Sequence, residues 1–114
     1  MPYINSTLTV KLSEEKKEVI KSKMGKIISE IPGKSEEWLM VGFNDNYSLF
    51  FRGNKMDKAA FVEVKIFGTA EKRYKEAITS KICELFEDEL SISKDSVYIT
   101  FSEVKDWGWN GSMF

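Results

Sequence analysis

Histidine is absent from this chain of 114 residues. That absence excludes every histidine-based triad, proton relay and metal site. Cysteine is nearly absent: Cys83, alone, cannot close an intrachain disulfide or anchor a zinc cluster. Arginine occurs only at Arg52 and Arg73. No basic block stands out, and 17 basic against 18 acidic residues leave a net charge of −1. A nucleic-acid partner is therefore not expected. No apolar run approaches the ~20 residues of a membrane span, so no membrane partner is expected either. Met1 to Thr7 has neither the basic end nor the apolar core of a secretory signal. The expected setting is cytoplasmic.

What is present is a soluble, globular composition, 42% hydrophobic and 31% charged, of a length that suits one domain. Without histidine, a catalytic base must be a carboxylate, a lysine, a tyrosine or the amino terminus. Of these, only the amino terminus titrates near neutrality, at roughly 7.7–8.0. Pro2 follows the initiator methionine directly. Removal of Met1 would leave Pro2 with a secondary amine, and burial or a nearby cation would lower its proton affinity further. A base poised near the working pH is what proton-transfer catalysis needs. A retained Met1 would hold that nitrogen in an amide and abolish its basicity.

The chain reads as a doubled unit spanning 1–114, with halves at about 1–57 and 58–114. In the first half a strand from Tyr3 to Val10 leads to a helix beginning near Ser13, a residue suited to the N-cap. Glu14 and Glu15 follow at the positive end of the dipole. Ile20, Met24, Ile27, Ile28 and Ile31 form an apolar stripe, Pro32-Gly33 is expected to end the helix, and a strand runs from Trp38 to Phe43. The second half repeats the scheme. A strand covers Ala59 to Phe67, Gly68-Thr69 supplies turn and cap, and a helix runs from about Ala70 to Leu90. A strand at Val97 to Phe101 closes the unit. The expected architecture is α+β: a pseudo-symmetric βαβ repeat whose four-stranded sheet carries both helices on one face.

Such a sheet has an open face that one chain leaves uncovered. Trp38, Met40 and Tyr98 alternate with the core-facing residues, and they are too apolar to sit wholly in water. Phe61, Glu63, Lys65 and Phe67 form a mixed face opposite Ala60, Val62, Val64 and Ile66. An oligomer is expected, with the tryptophans near the C-terminus pointing the same way. Cys83, at the edge of a helical stripe, reads as a reduced structural thiol. The lysines of the first helix, Lys16, Lys17, Lys21 and Lys23, read as a solvated face.

Several pieces, in order and spacing, resemble the macrophage migration inhibitory factor and D-dopachrome tautomerase branch of the tautomerase superfamily. They are Met1-Pro2, the Gly33-Lys34 turn, Ile66 with Gly68, Ile92-Ser93-Lys94-Asp95-Ser96-Val97-Tyr98-Ile99, and Gly108-Trp109-Asn110-Gly111-Ser112-Met113-Phe114. The resemblance implies a homotrimer with pockets at subunit interfaces and keto–enol tautomerisation of phenylpyruvate-like α-keto acids or their enols, with no cofactor and no metal. Pro2 would be the base, and Lys34 would lower its proton affinity and bind a substrate carboxylate. Ile66 would line the pocket with its backbone, and Tyr98 would come from the neighbouring subunit. Trp38 would stand at the rim, with Trp107, Trp109 and Phe114 near the mouth.

The chain departs from the family in places. Thr100 stands where the vertebrate cytokines carry asparagine, altering one polar contact. Lys65 adds a second cation near the mouth. The CxxC pair of some members is replaced by Lys58-Ala59-Ala60-Phe61, leaving thiol–disulfide chemistry unsupported. The resemblance also carries an alternative, a cytokine-like protein with a vestigial pocket and a protein receptor. Cytokines of this family leave the cell without a signal, so that route is open to this chain too. A hydrolytic role within the superfamily would need more arginines than this chain has.

Overall fold

Pro2 opens the first strand, a position where a residue without an amide hydrogen is tolerated inside a sheet. The computed structural model describes residues 1–114. In chain order they form β1 (Pro2–Leu8), α1 (Glu14–Ile28), β2 (Met40–Asn44), β3 (Phe50–Phe51), β4 (Asn54–Lys55), β5 (Ala60–Phe67), α2 (Lys72–Leu90), β6 (Val97–Val104), β7 (Gly108–Trp109) and β8 (Ser112–Met113). The main sheet has the order β2-β1-β5-β6. β1 runs parallel to β2 and β5 parallel to β6, while β1 and β5 meet antiparallel at the centre. Each parallel pair is joined through one helix, as a βαβ crossover requires. The expected α+β architecture is the one observed.

Both helices cover one face. Ile4 and Leu8 from β1 and Val62, Val64 and Ile66 from β5 pack with Ile20, Met24 and Ile28 from α1 and Ile78, Ile82 and Phe86 from α2. All of these are buried, and Leu39, Val41, Phe43, Val97, Ile99 and Phe101 pack around them. The strict alternation along β5, with Ala60, Val62, Val64 and Ile66 inward, follows from the two-residue period of a strand. Met40, Phe61 and Tyr98 are left on the open face.

Element ends differ from the sequence expectations for local reasons. Ser13 caps α1 as expected, accepting from the Lys16 amide at 3.0 Å. The helix stops at Ile28, however, because Glu30 and Ile31 turn back to the Ile27 and Ile28 carbonyls before Pro32 is reached. Trp38 belongs to a short 3₁₀ turn, Glu36–Trp38, that precedes β2. β1 ends at Leu8, short of Val10, and β6 continues past Phe101 to Val104. The second helix begins at Lys72 after Glu71; the Ala70 amide is taken up by Glu103 on β6 at 3.0 Å. Thr69 therefore has no capping role.

The repeat extends further than the helices and long strands. β3–β4 and β7–β8 are two-residue hairpins, turning at Arg52-Gly53 and Asn110-Gly111. Both residues of each turn have positive φ, near 53° and 78° in one and 52° and 81° in the other, as a type I′ turn demands. Met40 lies beside Tyr3, and Tyr98 lies beside Phe61. Pro2 and Ala60 are thus counterparts in the two halves, and a hairpin stands over each.

Candidate active site

Four segments meet around the start of β1. Pro2 pairs with Ile66 near the end of β5, at one end of the two central strands. The Phe67 amide donates to the Met1 carbonyl at 3.0 Å, closing that corner. Gly33, at φ +84°, reverses the chain after α1, a left-handed geometry that glycine adopts without a Cβ penalty. The reversal directs Lys34 under β5, where its Nζ donates to the Phe67 carbonyl at 2.9 Å. The 3₁₀ turn brings in Trp38, and the β7–β8 hairpin folds Trp109 over it.

The result is a cavity of about 610 Å³ lined by Met1, Pro2, Tyr3, Glu37, Trp38, Leu39, Met40, Lys65, Trp107, Gly108 and Trp109. Trp38 and Trp109 meet edge to face with centroids 5.2 Å apart. Phe114 stacks on Trp109 and leans on Phe67, at 6.3 and 5.7 Å. These aromatic walls give a ligand an apolar surface with a few polar groups beside it, the usual make-up of a small-molecule site. No group of three or more Asp, Glu or Cys side chains gathers there or elsewhere in the fold.

The electrostatics of the corner favour a neutral amine. Met1 carries the amino group here, and its pKa is lowered from 8.0, first by burial, then by the charge of Lys34 and by a hydrogen bond with it. Both causes disfavour the ammonium form. Burial and the Lys34 charge both act on the amino group of Met1 in this corner. An amine one residue further along, at Pro2, would enter the same corner.

The structure sorts the expected site residues into three groups. Pro2, Trp38 and Trp109 line the cavity, with Lys34 directly behind Met1. Ile66 does not offer its side chain, which is fully buried against the helices. The carbonyl that meets Lys34 belongs to Phe67, so the backbone contact lies one residue beyond the sequence expectation. Strand period was the available signal, because Phe67 shares the open-face phase of Phe61 and Lys65. Tyr98 and Thr100 lie elsewhere. Tyr98 pairs with Phe61, and Thr100 pairs with Glu63. Phe61 and Ile66, the β5 neighbour of Pro2, are five positions apart, about 16 Å of strand.

Tyr98 instead borders a second, smaller pocket of about 90 Å³, with Leu49, Phe50, Phe51, Ala59, Ala60, Phe61 and Ser96. Its ring meets Phe51 edge to face at 5.2 Å. This pocket is the repeat's counterpart of the first, with Ala60 in the place of Pro2 and no amine.

Comparison with known proteins matches the whole chain. The family model described as "Macrophage migration inhibitory factor (MIF)" matches residues 1–114. A macrophage migration inhibitory factor homolog of Brugia malayi is 25% identical over 116 residues, covering 100% of this chain and 99% of the homolog. The crystal structure of Leishmania major MIF2 superposes with a TM-score of 0.92 at 28% identity, covering 100% of this chain and 97% of that one. The MIF-like protein of Entamoeba histolytica gives 0.87 at 28% identity, covering 99% and 98%.

Proposed function

The chain belongs to the macrophage migration inhibitory factor family, and from that premise we propose that it is a keto–enol tautomerase whose base is Pro2 after removal of Met1. The observation that carries this reading is the amine corner. An amino group there is held below its ordinary pKa by burial and by Lys34, at the end of an aromatic-walled cavity.

In the enol-to-keto direction the neutral Pro2 nitrogen takes the enol hydroxyl proton. The electron pair closes the carbonyl, and the ammonium so formed returns its proton to the adjacent carbon. Atoms and charge balance without metal or cofactor. Lys34 gives one hydrogen bond to the Phe67 carbonyl, and its remaining hydrogens are free to hold the substrate carboxylate as a charge-assisted pair. Trp38, Trp107 and Trp109 enclose an aromatic substituent. A phenylpyruvate-like acid satisfies all three requirements. A positioned base of this kind supplies about 10²–10⁴ in rate.

Tyr98 and Thr100 enter the site only from a second copy of the chain, and the proposed assembly is a homotrimer with pockets at its interfaces. The open-face Met40, Phe61 and Tyr98, exposed by 69%, 37% and 58%, favour such a partner.

The test is phenylpyruvate enol–keto conversion by protein whose intact mass shows Met1 removed, beside Pro2→Gly. The expected result is activity in the wild type and a loss of at least about 10²-fold in the variant. Inactivity of correctly processed wild type would overturn the reading. The names of the relatives raise a second reading, a signalling role. Pro2→Gly separates the two, since it removes proton transfer and leaves the outer surface unchanged.

A further inference from the structure

One ammonium group lines the cavity and another lies beside its amine, and the proposed reaction uses only the second. Lys34 stands behind the amine. Lys65 lies on the lining, on β5, beside Tyr3 on one flank and Ser102 on the other. Lys65 is exposed and takes part in none of the ion pairs of the fold.

The carboxylates around it are accounted for. Glu63, two residues back on the same face, accepts a hydrogen bond from the Asn5 side-chain amide at 3.4 Å. Glu103, on β6, is held by the Ala70 amide and Lys75. Glu37 is the acidic residue of the lining, and it precedes β2, with β1 between it and Lys65. Two strand spacings, about 9.5 Å, separate β2 from β5. Lys65 therefore brings a positive charge to the cavity that no ion pair of the fold engages, with Glu37 the one carboxylate on the same lining.

Lys65 and Lys34 meet β5 close to one another. Lys34 is fixed at the Phe67 carbonyl, and Lys65 lies two residues from Phe67 on the same strand face, about 7 Å along β5. A monocarboxylic acid held by Lys34 leaves Lys65 unused. A molecule with acid groups at both ends of an aromatic ring would have a cation for each, and a cavity of about 610 Å³ has room for it.

We propose that Lys65 is a second anion anchor, and that the cavity selects 2-oxo or enol acids bearing a second carboxylate at the far end of the ring. This rests on the tautomerase reading for its chemistry, but the anchoring is testable by itself. The experiment compares phenylpyruvate with 4-carboxyphenylpyruvate as substrates, and phenylacetate with 4-carboxyphenylacetate as unreactive ligands. Each is measured on Met1-free wild type, Lys65→Gln and Lys65→Arg.

The expected result is a preference of wild type for the diacid of about fivefold in kcat/KM and in affinity. Lys65→Gln abolishes that preference, bringing the diacid's kcat/KM and affinity down to those of the monoacid in the same variant, while Lys65→Arg keeps it. Equal handling of monoacid and diacid by wild type, or a diacid preference that survives in Lys65→Gln, would overturn the proposal. Failure of wild type to turn over either substrate would sink the tautomerase reading alone. Diacid binding that depends on Lys65 would then still establish the anchor, and binding that does not would refute it.

Discussion

Ser6 is the one buried polar side chain of the core, fully enclosed between Phe43 on β2 and Val62 on β5, and its hydroxyl has no hydrogen-bond partner. An unsatisfied buried hydroxyl costs about 1–3 kcal/mol, while alanine there removes a single oxygen. Ser6→Ala is therefore expected to raise stability by about 1 kcal/mol, read as a higher urea midpoint. A fall of that size would mean that the hydroxyl is bonded, for example to an internal water. At this same scale the sequence was legible in part. Pro2, Trp38 and Trp109 line the cavity. The step from Ile66 to Phe67 was missed because a family pattern fixes a neighbourhood, whereas the phase of a strand fixes which carbonyl and which side chain face it.

Between elements, the charged surface of α1 holds more structure than its composition suggests. Lys16 and Lys23 both reach across to Glu89 on α2, at 3.0 and 2.7 Å, and so belong to the helix–helix contact. Lys17 and Lys21 stay with Glu14 and Glu18 on their own helix, closer to the expected solvated face. The hydrogen bonds from Lys23 and Lys16 lower the Glu89 pKa from 4.5. A depressed carboxylate stabilises the fold above its unfolded value and loses that contribution as pH falls through the folded one. Glu89→Gln should accordingly lower the denaturation midpoint at neutral pH and match wild type well below pH 4.5. A deficit that persists at low pH would show a packing defect instead. Periodicity could not foresee this clamp, because it joins side chains 66 and 73 residues apart. It did locate the helices and all four main strands. The two hairpins escaped it, being too short for a hydrophobic period, although Asn110-Gly111 is a type I′ signature in its own right.

For the molecule as a whole, the two halves build two pockets at opposite ends of the sheet, one with Pro2 and one with Tyr98. If the working site joins the first pocket of one copy to the second pocket of a neighbour, defects in different copies must complement. Pro2→Gly and Tyr98→Ala proteins, each impaired alone, should regain activity after mixed refolding, with about a quarter of the pockets intact in a random assembly. Mixing that restores nothing would place Tyr98 outside the site. Cys83 is half-buried, and that burial raises its thiol pKa and disfavours the thiolate. The proton-transfer account then rests on one nitrogen. Its most direct measurement is an NMR titration of Met1-free protein carrying ¹⁵N-labelled proline, in wild type and in Lys34→Ala. The Pro2 midpoint is expected below the 8.0 of an ordinary chain terminus, leaving more free base at neutral pH, and is expected to rise when Lys34 is removed. A midpoint at or above 8.0 that ignores Lys34 would contradict the proton-transfer account.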